Sequence, residues 1–108
     1  MVKTEVDAGI CGFLTRIEAN SEDSQNVTFK LATSCDKIRK LKEKLEPMTF
    51  DAYQEIGKGF DGELFTAIRG SMSGCCAGCA VQTALFKSMQ VAAMLALPKD
   101  IVIKIEKT

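Results

Sequence analysis

Five cysteines and no histidine are the features of this 108-residue chain that point most directly to chemistry. Each cysteine lies beside a glycine or at a predicted helix start, and they come from three separated segments: Cys11, Cys35, Cys75, Cys76 and Cys79. Glycine allows the backbone to approach a bound atom closely, and the free N–H groups of a helix start favour a thiolate. We therefore predict that the three segments converge on a metal site or a redox thiol centre.

Four of these cysteines form the predicted ligand set: Cys11, Cys35, Cys76 and Cys79. The Cys76-x-x-Cys79 spacing lets two sulfurs reach one ion, and four thiolates suit both zinc and an iron–sulfur cluster. Cys75 is expected to be a spare sulfur or to exchange with Cys76. The predicted cofactor is therefore an iron–sulfur cluster or zinc, and the sequence does not decide between them.

Two other interpretations of the cysteines stay open. A C-x-x-C pair at a helix start is also typical of dithiol redox proteins, so Cys76 and Cys79 are alternatively a thiol–disulfide or persulfide carrier. Free cysteine is also a small core residue, which leaves a non-enzymatic interaction module with buried, inert thiols. Because the chain has no histidine, imidazole-based catalysis is excluded, and we expect a binding protein rather than an enzyme.

The elements that must position the cysteines follow from hydrophobic periodicity. Alternating apolar residues predict three strands, at residues 3–7, 13–20 and 27–31, and a last strand at 101–105. Helical spacing predicts a helix that follows Ser34 as its N-cap, two short helices within residues 49–70, and a long apolar helix over residues 76–97. Cys11 then lies in the loop before the strand at 13–20, and Cys35 follows the strand at 27–31. Both cysteines are therefore expected to lie near the start of the long helix.

This order of elements predicts an α+β fold in a single domain, residues 1–108. Its sheet is expected to be small and mostly antiparallel, with three N-terminal strands plus the C-terminal strand, and about four helices packed on one face. A composition of 46% hydrophobic and 26% charged residues is ordinary for a globular protein.

Charge limits the partners that the chain is expected to bind. Fourteen basic residues balance fourteen acidic ones, so no overall field attracts nucleic acid or anionic membrane. The first residues lack the apolar region of a signal peptide, so we expect a cytoplasmic protein with reduced cysteines. Lysine and arginine are concentrated in the predicted helix over residues 36–46, which is a candidate surface for a protein partner. The oligomeric state is not predicted.

Four sequence stretches carry a family resemblance: VDAGICGF from residue 6, Ser34-Cys35, CAGCAV from residue 76, and VAAMLALP from residue 91. Together they resemble a family of small bacterial and archaeal proteins of unknown function, which brings no activity with it. A weaker resemblance is to the U-type iron–sulfur cluster assembly scaffold, which has a Cys-Gly after an early strand and cysteines at an early and a late helix start. Phe13 stands where that scaffold has an aspartate after its Cys-Gly, so the resemblance implies a layout of sulfur ligands rather than cluster transfer.

Overall fold

A four-stranded antiparallel sheet is the base of the fold in the computed structural model, which describes residues 1–108. Its strands pair in chain order and are β1 (Val2–Asp7), β2 (Leu14–Asn20), β3 (Asn26–Thr33) and β4 (Phe50–Asp51). Alternate residues of β3 are buried, namely Val27, Phe29 and Leu31, while the residues between them face outward. This two-residue period leaves one face of the sheet apolar, so that face must be covered.

Four helices supply that cover: α1 (Asp36–Leu45), α2 (Ala52–Lys58), α3 (Glu63–Ser71) and α4 (Val81–Ala92). Helix α1 packs on β3, and α4 packs on β1 and β2. Their inward side chains, such as Leu41 and Leu85, are fully buried in a core of 19 apolar residues. Burial of each such side chain stabilises the fold by about 2 kcal/mol, so this apolar contact holds the helices on the sheet.

The predicted α+β class with an antiparallel sheet is confirmed, but the predicted position of the fourth strand, at residues 101–105, was wrong. That strand is Phe50–Asp51, which pairs with Asn26 and Val27 at the start of β3. The expected C-terminal strand is not formed, because residues 95–108 have no strand partner. The alternation of Ile101 to Ile105 predicts strand conformation, but it does not supply a neighbouring strand.

The long helix predicted over residues 76–97 was also wrong at both ends. The helix is confined to Val81–Ala92, and the preceding Gly74–Gly78 forms a 3₁₀ turn. Beyond the helix the backbone leaves the helical conformation at Met94, whose φ of 61° is left-handed. Gly74 has a φ of 64° and Gly78 carries no side chain to pack, so the glycines interrupt a pattern that is otherwise apolar. No helix of the structure is long and apolar enough to cross a bilayer.

A buried carboxylate joins α2 to α3. The side chain of Glu55 is 3% exposed and accepts hydrogen bonds from the backbone N–H groups of Glu63, at 3.2 Å, and Leu64, at 2.6 Å. These N–H groups begin α3 and have no partner within the helix. A Cβ atom at Gly62 would lie 2.9 Å from a Glu55 carboxylate oxygen, so a glycine there leaves room for the carboxylate.

We predict that Gly62→Ala destabilises the protein by about 1–3 kcal/mol, because the new methyl displaces a buried, hydrogen-bonded carboxylate. Gly57→Ala is the matched control, since it lies within α2 with nothing near its Cβ position. That control should gain about 0.5–1 kcal/mol, the advantage of alanine over glycine in a helix. Urea unfolding of both variants measures the difference, and equal stability would contradict the role of Glu55.

Candidate functional site

The first two cysteine segments lie at one end of the sheet. Cys11 ends the 3₁₀ turn that connects β1 to β2, and Cys35 follows β3 as the N-cap residue of α1. Leu14 and Ser34 join the two segments, because each backbone N–H donates to the other residue over 3.4 Å, to the Ser34 Oγ and to the Leu14 carbonyl. The pairing of β2 with β3 therefore holds Cys11 and Cys35 close in space.

Ser34 was predicted as the N-cap residue of this helix, and the structure corrects that prediction by one position. The N-cap is Cys35, whose side chain makes no capping hydrogen bond. Ser34 instead uses its hydroxyl to accept from Leu14 across the strands. The Cys35 sulfur is consequently half-buried at a helix start without being engaged in the cap.

The third segment lies beside the start of α1. The Gly74–Gly78 turn connects α3 to α4, and Lys37 of α1 donates its Nζ to the carbonyl of Ser73 over 3.1 Å. Cys75 and Cys76 belong to this turn, and Cys79 follows it directly. The contact of Lys37 therefore places the C-x-x-C turn next to the helix that begins at Cys35.

Backbone hydrogen bonds fix the shape of the C-x-x-C turn. The N–H of Cys79 donates to the carbonyl of Cys76 over 3.1 Å, which closes the turn. The side-chain amide of Gln82 donates to the carbonyls of Cys76, at 3.0 Å, and Ala77, at 2.7 Å. Because Gln82 belongs to the first turn of α4, these bonds attach the cysteine turn to the helix that follows it.

Sequence reasoning missed Lys37 and Gln82 as residues that position the site. Lys37 was one of several lysines in a basic helix, and nothing in the sequence distinguishes it from its neighbours. Gln82 left a weak signal, since it is an amide in the first turn of a largely apolar helix, three residues after Cys79. Such an amide is well placed to reach backward to carbonyl groups of the preceding turn.

The thiol of Cys79 is influenced by the other three predicted ligands. Burial is the main cause that raises the pKa of Cys79 above its usual value, and a hydrogen bond from the Val81 N–H acts in the opposite direction. Negative charge on Cys76, Cys35 and Cys11 raises the pKa further. The thiols of three separated segments are therefore electrostatically coupled to Cys79.

These four thiols are neighbours without being assembled around one point. No group of three or more cysteine, aspartate and glutamate side chains is arranged so that it holds a metal ion. Cys11 is exposed, whereas Cys35, Cys76 and Cys79 are half-buried. Electrostatic repulsion acts over a longer range than a zinc–sulfur bond of about 2.3 Å. Sulfurs that are too far apart to bind one ion therefore still affect the pKa of Cys79. Cys75 is exposed and is not among the groups that shift the Cys79 pKa.

Comparison with known proteins places the chain in a family. One family description, a family of unknown function designated DUF6951, matches residues 2–105 and so includes all five cysteines. The chain belongs to DUF6951. The expected resemblance to an uncharacterised family is thereby confirmed, while the resemblance to the U-type scaffold stays a prediction. No curated protein and no solved structure matches the chain.

We predict that, in metal-free protein, iodoacetamide alkylates Cys79 more slowly than Cys75. Cys79 is half-buried and its raised pKa keeps it protonated, whereas the thiolate is the nucleophile and Cys75 is exposed. Because the pKa of Cys79 is raised, its rate should keep increasing with pH beyond the usual thiol range, from about pH 8.5 upward. Peptide mass spectrometry after timed alkylation measures both rates, and a faster Cys79 at neutral pH would contradict the assigned environment.

Proposed function

We propose that this DUF6951 protein binds an iron–sulfur cluster or a zinc ion through the thiolates of Cys11, Cys35, Cys76 and Cys79. The observation that carries the proposal is the meeting of three separated segments at one end of the sheet. The hydrogen bonds between Leu14 and Ser34 join the first two segments, and the Lys37 bond to Ser73 brings the third beside them.

The chemistry of the donors favours a cation. Charged thiolates of Cys76, Cys35 and Cys11 repel a thiolate at Cys79, so the cluster of sulfurs is unfavourable while all four are ionised. A bound zinc ion or iron–sulfur cluster offsets that repulsion, because its positive charge lies between the sulfurs. All-thiolate ligation suits both, and the chain contains no histidine to compete.

Metal binding is expected to draw the three segments together. The thiols are neighbours that are not yet arranged around one ion, so the exposed Cys11 turn must move toward the half-buried sulfurs. The ion binds only when the three segments are folded into place. Its binding free energy therefore adds to the free energy of folding. At a ligand concentration of about 1,000 times Kd, this linkage stabilises a protein by about 4 kcal/mol.

Two further expectations accompany the proposed centre. We expect the protein to act in the cytoplasm, where reducing conditions keep thiols free for metal. We also expect a protein partner at the basic face of α1, where Arg39, Lys40 and Lys44 are exposed. An acidic surface is the complement of that face, and nucleic acid is not expected since the net charge is zero.

We predict that protein purified without oxygen contains metal and that Cys79→Ser reduces metal retention at least about tenfold, as loss of even an outer-sphere partner does. Cys75→Ser is the matched control and should retain metal like the unaltered chain, because Cys75 is exposed and is not one of the four predicted ligands. Elemental analysis after dialysis against a chelator measures retention. Visible absorbance identifies an iron–sulfur cluster, and a colourless protein with stoichiometric zinc identifies the other centre.

Two results would contradict the proposal. Equal retention by the Cys79→Ser and Cys75→Ser variants would remove the assigned ligand set. Metal-free protein with a rapidly reacting Cys76 thiol, and a disulfide to Cys79 after mild oxidation, would favour the dithiol redox interpretation instead.

A further inference from the structure

An exposed arm follows the last helix. Residues 97–108 are all exposed and form no strand or helix, and we call them the arm. The arm is apolar for such a position, since Ile103 is 66% exposed and Ile105 is 93% exposed. Ile101, Ile103 and Ile105 alternate with Val102, Lys104 and Glu106, which is the period of a strand with two different faces. The family match continues through residue 105, so the alternating stretch as far as Ile105 lies within the matched region.

Strand β1 offers an unpaired edge of matching length. It is the first strand in the sheet order, so it pairs with β2 on one side and with nothing on the other. It contains six residues, Val2–Asp7, with Val6 buried toward the helices and Lys3, Glu5 and Asp7 exposed on the opposite face. Unpaired N–H and C=O groups along such an edge are a template for another strand.

We propose that the arm of one molecule adds to β1 of a second copy as an antiparallel strand, and that the exchange is reciprocal in a two-fold symmetric dimer. In this register Lys104 lies opposite Glu5 and Glu106 lies opposite Lys3. Ile103 then lies opposite Val6, so the isoleucine face of the arm turns toward the helices. Successive residues of a strand point to opposite faces of the sheet. The register that pairs Lys104 with Glu5 on the outer face therefore also pairs Ile103 with Val6 on the inner face.

The register continues alternating charge rows that already cross the sheet. One row runs from Lys30 of β3 through Glu18 of β2 to Lys3 of β1, and Glu106 of the arm extends it. A second row pairs Arg16 of β2 with Glu5 of β1, whose Oε2 lies 3.3 Å from the Arg16 Nε, and Lys104 extends that row.

Neighbouring antiparallel registers that keep the isoleucine face inward do not reproduce this match. A shift of two residues in one direction places Lys104 opposite Lys3. The same shift in the other direction places Glu106 opposite Glu5 and keeps only one opposite-charge pair, Lys104 with Asp7. Like charges directly opposite each other destabilise a strand pair, so the charges select one register.

The direction of α4 indicates that the arm pairs with β1 of another molecule rather than with β1 of its own chain. Helix α4 begins just after the C-x-x-C turn, which the Lys37 bond to Ser73 holds beside the start of α1. Ser88, further along α4, bonds to Thr4 of β1 at 2.6 Å between hydroxyl oxygens. Helix α4 therefore delivers its own arm to the Val2 end of β1. Direct pairing from that end is parallel, whereas a two-fold related copy supplies the antiparallel direction in which Lys104 lies opposite Glu5 and Glu106 lies opposite Lys3.

Sedimentation equilibrium of the full chain under reducing conditions tests the dimer. We expect a mass of twice 11.7 kDa for the unaltered chain and a monomer for Ile103→Asp at the same concentration. The double variant Lys104→Glu with Glu106→Lys keeps composition and net charge but reverses both charge rows, so it should weaken the dimer at least about tenfold.

The matched control is the double variant Lys99→Asp with Asp100→Lys, which swaps arm charges outside the strand pairing. It should leave the dissociation constant unchanged. All these residues are exposed, so circular dichroism is expected to show an intact fold in every variant.

A monomeric unaltered chain would overturn the proposal, as would a dimer that survives Ile103→Asp. Equal weakening by the two charge-swap variants would also overturn it, because the association would then have no register. The metal content of the protein does not enter this test, so its outcome is separate from that of the cysteine centre.

Discussion

The pairing of β2 with β3 is the interaction on which the rest of the structure depends. It places Ile17 and Leu31 on one face, where they begin the core that the helices cover. The same ladder ends at Thr15 and Thr33, whose hydroxyl oxygens lie 2.8 Å apart. A slip of one residue would turn every side chain to the other face of the sheet, so burial of the apolar face also sets the position of the loops at its end.

Those loops carry the cysteines, and their arrangement reflects two opposing effects. Burial and the charge of neighbouring thiolates both disfavour an ionised Cys79, whereas the N–H of Val81 favours it. The bond of Lys37 to Ser73 nevertheless holds the C-x-x-C turn beside the start of α1, and Gln82 attaches that turn to α4. A bound cation would offset the repulsion between these thiolates, which is the electrostatic argument behind the proposed metal centre.

The edges of the sheet are handled differently at its two sides. At one side the short β4 covers only the start of β3. At the other side the whole of β1 is open, and an apolar arm of similar length projects without a partner. Proteins usually block an open edge with charge or cover it with another segment, and the charges of β1 are complementary to those of the arm. The edge therefore has the properties of an interface rather than of an unprotected strand.

Local patterns predicted much of this fold, namely β1 to β3, the amphipathic α1 and the pair of short helices after it. These elements follow from alternation and helical spacing, which act over a few residues. The same patterns failed at the long helix, where Gly74 and Gly78 interrupt an apolar run, and at β4, which is too short for a period to be visible.

The sequence by itself determined the α+β class, the positions of the first three strands and the five cysteines in three segments without histidine. Only the tertiary structure decided that the segments of Cys11, Cys35 and Cys79 lie at one end of the sheet, and that Ile101 to Ile105 has no strand partner within its own chain. The physical reason is range. Periodicity and capping are properties of adjacent residues, whereas the meeting of distant loops and the vacancy of a sheet edge depend on how the whole core packs.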